Sequence, residues 1–189
     1  MRKLTHQEIL ALREGNRACE RNPISICLND VRSLYNVGAV FRIADGIRAS
    51  KVYLCGITGK PPHRAITKTA LGSEASVPWD YHSDIHDLLS ELKTSGHQIA
   101  VMEHTDGSVS YTDAKIQSPV CLVVGNEVTG VDRSVVAFAD FAVEIPMFGE
   151  KNSLNVGVAT GIVAYRFLEA LQINHAGNFP LKEIKLNRF

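Results

Sequence analysis

Short apolar runs alternate along this chain with segments whose apolar residues recur at helical spacing. The runs have the length of buried strands and lie at residues 24–28, 51–57, 97–103, 119–125 and 141–147. A further strand at 75–81 is predicted to be irregular or at an edge, because Pro78 lies within it. Helices are predicted at residues 4–20, 36–47, 84–94, 133–139 and 153–171, with a short one within 58–75.

Residues 24–57 predict a strand–helix–strand unit. Asn36 is a suitable N-cap residue for its helix. One face of that helix is apolar and consists of Val37, Val40, Phe41, Ala44 and Ile47. Because two strands joined through a helix are parallel, and strands and helices alternate along the rest of the chain, we expect one α/β domain. Its sheet is predicted to be mostly parallel, with about six strands flanked by helices.

The two ends of the chain differ from this central part. Residues 4–20 have a narrow apolar stripe that Gly15 interrupts, which is typical of a peripheral helix. We expect an N-terminal helical extension at 1–22, a central domain at 23–172 and a C-terminal extension at 173–189. The N-terminus lacks the apolar segment of a signal peptide, and no stretch approaches the roughly 20 apolar residues of a membrane span. A cytoplasmic protein without a membrane partner is therefore expected.

The formal charge is zero, with 20 Lys and Arg against 20 Asp and Glu, which excludes a strongly basic protein. The distribution is uneven, however. Residues 1–68 carry 12 basic and 5 acidic side chains, whereas residues 69–150 carry 3 basic and 13 acidic ones. This asymmetry either indicates a polyanionic partner or reflects neighbours in the fold that neutralise one another.

The four cysteines predict neither disulfides nor a zinc site. They are Cys19, Cys27, Cys55 and Cys121, and no two have CxxC spacing. Three of them lie inside apolar runs, where cysteine usually acts as a small buried side chain. We therefore expect a reducing compartment and no metal ion.

Polar or glycine-rich segments follow three of the predicted strands, and ligands of open α/β sheets bind beyond the carboxyl ends of strands. After the first strand, the candidate residues are Arg32, Asn36 and Arg42. Arg42 lies nearly opposite the apolar face of its helix. It is therefore either a solvated surface arginine or a group that binds phosphate through its planar guanidinium.

The other two segments are GNEVTG at 125–130 and the stretch from Ile145 to Gly157. Glu127 lies between two glycines. It is either a residue at the mouth of a ligand site or a solvated side chain in a turn. Ser153 is either the N-cap of the long helix or a ligand-binding group at its N-terminus. Small residues, including Gly157 and Gly161, begin that helix, and they either let another backbone approach closely or pack tightly onto the sheet.

Together and in this order, the three segments resemble the three signature motifs of the TrmH/SpoU family of SPOUT methyltransferases. The matching stretches are NVGAVFR at 36–42, LVVGNEVTG at 122–130 and IPMFGEKNSLNVGVA at 145–159. The resemblance spans residues 24–170. It implies a parallel sheet with a deep C-terminal trefoil knot and a homodimer. It also implies transfer of a methyl group from S-adenosylmethionine to a ribose 2′-hydroxyl of tRNA or rRNA, with S-adenosylhomocysteine as the product.

The resemblance also implies roles for residues in these motifs. Arg42 would be the catalytic residue, and Asn36, Glu127, Ser153 and Asn155 would shape the active site. Main-chain groups near Gly125, Ile145 and Leu154 would hold the adenosine of the methyl donor. No metal is implied. The residues implied to bind the donor are Gly125, Asn126, Glu127, Ile145, Met147, Gly149, Ser153, Leu154 and Asn155.

Two roles for Arg42 and two other functions for the chain remain open at this level. Arginine is an unusual base, because its guanidinium stays protonated in proteins. Arg42 would either orient a phosphate and stabilise a developing alkoxide, or act as the base through contact with that phosphate and the dimer partner. The alternative functions are a non-catalytic RNA-binding protein of the same fold and an unrelated nucleotide-binding α/β protein, although GxGxxG and P-loop motifs are missing.

Only about 22 residues precede the central domain, whereas many relatives have an RNA-binding domain there. We therefore expect RNA to contact the catalytic domain, its dimer partner and the two extensions, including the tail at 182–189. The candidate contacts are Arg2, Lys3, Arg13, Arg17, Arg21, Lys60, Arg64 and Lys68. Each is also an ordinary surface charge when taken singly.

Overall fold

Within residues 2–9 and 20–174, which this computed structural model describes, seven strands form one sheet in which every neighbouring pair is parallel. This confirms the predicted α/β class and the parallel sheet, with one strand more than expected. The elements in chain order are β1 Asn22–Asn29, α1 Leu34–Gly46, β2 Ala49–Cys55, α2 Arg64–Ala70, α3 Ser73–Ser76, β3 Trp79–His82, α4 Ile85–Thr94, β4 Gln98–Met102, β5 Val109–Ser110, β6 Val120–Val124, α5 Arg133–Phe138, β7 Phe141–Glu144 and α6 Val156–Asn174.

The strand order is β3-β2-β1-β6-β4-β7-β5. The chain winds outward from β1 to β2 and β3, and the other four strands lie on the opposite side of β1. Strand β6 pairs with β1 over Ile24–Val120 to Leu28–Val124, so the two sides meet there. The carboxyl ends of β1 and β6 therefore flank the switch point at which ligands of such sheets bind.

Alternation along the strands places apolar side chains on both faces of the sheet. One face carries Ile24, Ile26 and Leu28, which pack in one core cluster with α1 and α6. The other face carries Cys27, Cys55 and Cys121 in a second cluster with α4. All three thiols are buried and free, as predicted, and burial raises the pKa of Cys121 to about 12. A sheet covered on both faces in this way is held rigidly enough to position loops at its edge.

Helix α1 presents its predicted apolar face to the core, since Val37, Val40, Phe41 and Ala44 are all fully buried. The small residues of α6 face α1, because Gly157 lies against Ala39 and Gly161 lies against Ile43. They therefore let α6 pack closely onto α1 rather than only onto the sheet.

Several predicted boundaries are wrong. The strand predicted at 51–57 ends at Cys55, after which Gly56 adopts a φ of 60° and Ile57 is 69% exposed. The strand predicted at 141–147 ends at Glu144, and the long helix begins at Val156 rather than at residue 153. The chain turns earlier than its apolar residues suggest, because Ile57 and Ile145 lie in loops at the carboxyl edge of the sheet.

The terminal predictions fall mostly outside the described residues. Residues 6–9 are helical and residues 4, 5 and 20 are not, whereas residues 10–19 of the helix predicted at 4–20 lie outside the described residues. Strand β1 begins at Asn22, one residue inside the predicted extension. Residues 175–189 of the C-terminal extension also lie outside the described part. None of the helices in the described part is long and apolar enough to cross a membrane.

Candidate active site

A pocket of about 280 Å³ opens at the carboxyl edge of the sheet, beyond β4, β6 and β7. Its volume is close to the lower end of the roughly 300–1,000 Å³ range of small-molecule sites. Loops 125–130 and 145–155 form most of its wall. Seven residues that the resemblance assigns to donor binding line it, and they are Gly125, Asn126, Glu127, Ile145, Met147, Ser153 and Leu154.

Glu127 connects this pocket to the first turn of α1. Its carboxylate accepts hydrogen bonds from the backbone N–H groups of Arg32 and Ser33, both at 3.0 Å. It also accepts one from the side-chain amide of Asn36 at 2.9 Å. Burial alone would raise the pKa of Glu127, but the hydrogen bonds from Arg32, Asn36 and the backbone outweigh burial and keep that pKa below its ordinary value. Glu127 is therefore an anion with a fixed orientation.

Asn36 is 9% exposed and joins Glu127 to the start of α6. An ionised carboxylate accepts hydrogen bonds but cannot donate them. The Nδ2 of Asn36 must therefore face Glu127, and the Oδ1 of Asn36 must face away from it. That Oδ1 accepts a hydrogen bond of 3.1 Å from Asn155 Nδ2, and Asn155 Oδ1 in turn accepts from Gly157 N and Val158 N. We call Glu127, Asn36 and Asn155 the Asn36 network.

The Asn36 network corrects two predictions about helix capping. Ser33, not Asn36, is the N-cap of α1, and its side chain accepts from the N–H of Asn36. Asn155, not Ser153, caps α6, since its side chain accepts from the free N–H groups of the first turn. Asn36 is released from the capping role and holds the three motif segments together instead.

Loop 125–130 is built by its own backbone and by Asn126. The Asn126 side chain donates to Asp30 O at 2.8 Å and accepts from Val128 N and Thr129 N. A Cβ on Gly125 would collide with the backbone of Gly130 and lie 2.6 Å from Val131 N. Asn126 and Gly125 therefore shape the pocket wall, and the Asn126 side chain has little hydrogen-bonding capacity left for a ligand.

Sequence reasoning missed the wall contributed by β4. Glu103 follows that strand and accepts hydrogen bonds from Val131 N and His104 N. The ring of His104 lies 3.2 Å from Glu144 Oε2 and 3.0 Å from Asn152 O, so it ties β7 to loop 145–155. The strand predicted at 97–103 is followed by polar residues, as are the other strands at the pocket. The pair Glu103 and His104 was the signal that could have identified this wall.

Four predicted site residues lie outside the pocket lining, and they are Asn36, Arg42, Gly149 and Asn155. Asn36 and Asn155 belong to the Asn36 network next to the pocket. Gly149 is exposed, and a Cβ on it would contact nothing within 4 Å. Arg42 is exposed and lies six residues after Asn36, which places it about 240° around α1 and about 9 Å along it. Among the described residues, no hydrogen bond or ion pair links Arg42 to the other predicted site residues.

Electrostatically, the pocket is lined by carboxylates. Glu103, Glu127 and Glu144 all contribute to its wall, together with His104. Hydrogen bonds from Ser108 and His104 lower the pKa of Glu144. Within residues 2–9 and 20–174, no group of three or more His, Cys, Asp or Glu side chains is placed to hold a metal ion. The site therefore suits a ligand with positive charge and an apolar body, since Val124, Ile145 and Leu154 also line it.

Sequence comparison shows that this chain is similar to tRNA and rRNA methyltransferases. The model of the SpoU rRNA Methylase family matches residues 23–165. The tRNA (guanosine(18)-2'-O)-methyltransferase of Escherichia coli strain K12 is 32% identical over 154 residues, which cover 79% of this chain and 66% of that relative. The chain thus spans slightly less than two thirds of the length of this relative.

Solved structures with the same fold agree with the sequence match. The TrmH/SpoU tRNA modifying enzyme of A. aeolicus superposes with a TM-score of 0.77 at 28% identity and covers 89% of this chain and 84% of its own. The AdoMet-bound rRNA methyltransferase from Sinorhizobium meliloti superposes with a TM-score of 0.73 at 30% identity, over 78% of this chain and 56% of its own. Motifs, fold and family model agree, and the chain belongs to the SpoU rRNA Methylase family.

Proposed function

We propose that this chain transfers a methyl group from S-adenosylmethionine to a ribose 2′-hydroxyl of tRNA or rRNA. The observation that carries the proposal is the Asn36 network, which joins all three motif segments at one pocket through hydrogen bonds of 2.9–3.1 Å. The names of the relatives support both the reaction and the class of RNA. They include a tRNA methyltransferase and an rRNA methyltransferase bound to AdoMet.

The residues of the pocket fit the methyl donor. Val124, Ile145 and Leu154 offer apolar contacts for an adenine, and loops 125–130 and 145–155 offer main-chain groups that can read its edge. The carboxylates of Glu103 and Glu127 give the wall a negative potential that favours a cation. When bound, S-adenosylmethionine supplies a methyl carbon activated by its positive sulfonium sulfur.

The residues of this chain then act mainly by positioning, because the donor is already activated. Asn36 fixes the carboxylate of Glu127, and Asn155 fixes the start of α6 and with it the segment that carries Ser153. Ser153 is exposed at the pocket, where its hydroxyl can bind the ribose. Arg42 holds the phosphate next to the target ribose and stabilises negative charge that develops on the 2′-oxygen as the hydroxyl proton passes to water. A protonated guanidinium suits this orienting role better than the role of a base.

The position of Arg42 supports a homodimer. Because Arg42 points away from the pocket lining of its own chain, we propose that a second copy brings its Arg42 to this pocket. Helix α6, which packs against α1, also exposes apolar side chains that a second copy can cover, since Val158 is 54% and Tyr165 is 52% exposed. Val163, Phe167 and Leu168 of the same helix are buried in the core. The knot, the dimer and a cytoplasmic location remain predictions.

Donor binding and methyl transfer together test the proposal. Calorimetry should show binding of S-adenosylmethionine, and bulk RNA from a strain that lacks this gene should gain 2′-O-methyl groups, which mapping would assign to one nucleotide. Donor and RNA binding without transfer would favour the non-catalytic RNA-binding alternative. Absence of donor binding would refute the assignment of the pocket. Sedimentation as a monomer at micromolar concentration would refute the dimer.

A further inference from the structure

Two exposed lysines lie over exposed tyrosine rings beside the pocket. The Nζ of Lys60 is 4.1 Å from the ring centre of Tyr81, and the Nζ of Lys68 is 5.7 Å from that of Tyr35. Tyr35 is 51% exposed and Tyr81 is 39% exposed. We call Tyr35, Lys60, Lys68 and Tyr81 the lysine–tyrosine track.

The lysine–tyrosine track is continuous with the candidate active site. Tyr35 lies between Ser33, whose N–H binds Glu127, and Asn36 of the Asn36 network. Thr69, next to Lys68 on α2, donates to the carbonyl of Tyr35 at 2.9 Å. A bound strand that leaves the pocket would therefore meet Tyr35 and Lys68 first.

The same surface continues to the end of β2. Leu34 packs directly over Gly59, the residue before Lys60. The hydroxyl of Tyr81 donates to Gly56 O at 2.9 Å, which fixes the second ring at the carboxyl end of β2. The Lys60–Tyr81 pair thus lies at the carboxyl end of β2, and the contact of Leu34 with Gly59 joins it to the helix that carries Tyr35.

The charge of Lys60 and Lys68 differs from that of several other basic side chains. Lys51, Lys93 and Arg166 each form an ion pair with an acidic side chain. Among the described residues, no acidic side chain forms an ion pair with Lys60 or Lys68. Their positive charge is therefore available to an external anion.

We propose that the lysine–tyrosine track binds the RNA strand next to the target nucleotide, with Lys60 and Lys68 on phosphates and an unpaired base stacked on Tyr35. This inference rests on the proposed function. Stacking on exposed aromatic rings and ionic contact with the backbone are how proteins hold single-stranded RNA. Lysine is depleted from protein–protein interfaces, so the composition of the track favours RNA over a second protein.

Salt-dependent binding tests the two lysines. Fluorescence anisotropy with total bacterial tRNA as the probe would compare the wild type with Lys60→Ala/Lys68→Ala. We expect Kd to rise about tenfold, and the slope of log K against log salt to fall by about 1 for each lysine. The matched control is Lys93→Ala, because Lys93 also lies over a ring, that of Phe138 at 4.6 Å, but is paired with Asp140.

Two substitutions test Tyr35, one that removes its ring and one that keeps the ring but removes the hydroxyl. Tyr35→Ala should raise Kd roughly 5- to 150-fold, the range expected for one stacked base, and Tyr35→Phe should bind like the wild type. Affinity for S-adenosylmethionine should be unchanged in all of these variants, since none of these side chains lines the pocket.

The outcomes separate this inference from the proposed function. If the wild type methylates RNA and the double lysine variant binds tRNA like Lys93→Ala, the track is wrong and the proposed function stands. If the variants change the sedimentation of the protein instead of its affinity for tRNA, the surface is an interface between copies and the inference fails. If the wild type transfers no methyl group to any RNA, the proposed function fails, and with it the inference.

Discussion

Replacing Asn36 with aspartate should destabilise the protein in a pH-dependent way. The substitution keeps the size of the side chain but replaces the amide that donates to Glu127 at 2.9 Å by a second carboxylate. A hydrogen bond to a charged group contributes about 1.5–3 kcal/mol to the free energy of unfolding. Glu127 is exposed, so water screens it, and we take the low end, about 1.5 kcal/mol, plus about 1 kcal/mol of repulsion between the two charges.

The expected loss is therefore about 2–3 kcal/mol at about pH 8, which lowers Tm by roughly 4–12 °C in a domain of this size. Near pH 5 the paired carboxylates share a proton, the hydrogen bond returns, and most of the loss should disappear. Thermal unfolding followed by circular dichroism at both pH values would measure this difference. Asn36→Ala should also destabilise the protein, but without this pH dependence.

A second substitution checks the orientation of the amide directly. In Asn36→Asp combined with Glu127→Gln, donor and acceptor are exchanged between positions 36 and 127, so the double variant should recover part of the stability that Asn36→Asp loses at pH 8. Recovery is partial because the amide nitrogen at position 127 then faces the N–H of Ser33, which Glu127 Oε1 accepts in the wild type. Equal losses for Asn36→Asp and Asn36→Ala at both pH values, with no recovery in the double variant, would contradict the assigned hydrogen bond between Asn36 and Glu127.

Three further predictions concern single residues of the site. Glu127→Gln alone should lower stability at neutral pH. Because folding lowers the pKa of Glu127, the deficit should shrink in urea titrations as the pH falls below about 4, and an unchanged deficit there would argue against the charge. Gly125→Ala should cost about 1–3 kcal/mol through its collision with the neighbouring backbone, whereas Gly149→Ala, with open space around it, should be neutral by the same assay. Arg42→Ala should slow methyl transfer by two to three decades, about 3–4 kcal/mol, with donor affinity unchanged in calorimetry. The control is Arg133→Ala, which removes an exposed surface arginine. If Arg42→Ala keeps the same turnover as this control, close to that of the wild type, Arg42 is an ordinary surface arginine.

The sequence predicted those parts of the fold that depend on local periodicity. The apolar face of α1 and the runs that became β1, β4 and β6 were identified because each buries its own pattern of side chains. Strand β5 was missed because it has only two residues, Val109 and Ser110, in a polar stretch. It is a strand only through its pairing with β7, which no local pattern encodes.

The sequence identified most residues of the candidate site but not the hydrogen bonds that join them. The resemblance singled out Asn36, Glu127 and Asn155, while propensity alone assigned Asn36 to an N-cap. The actual partner of Asn36 Oδ1 lies 119 residues away, and its other partner lies 91 residues away. Contacts between residues so far apart along the chain depend on the order of the strands in the sheet. Composition gave no indication of Glu103, because a glutamate at the end of a strand is an ordinary surface residue until the neighbouring loop lies over it.

The strand order also sets the sequence in which a newly synthesised chain can acquire its parts. Strands β1, β2 and β3 pair within residues 22–82, so these pairings can begin while the ribosome is still adding residues. Strand β6 pairs with β1 at a separation of 96 residues. Contacts of that range close slowly, and the Asn36 network must wait until Asn155 has been made. The pocket is therefore the last feature to form, and a chain arrested before α6 would lack both the helix that covers Ile24, Ile26 and Leu28 and part of the pocket wall.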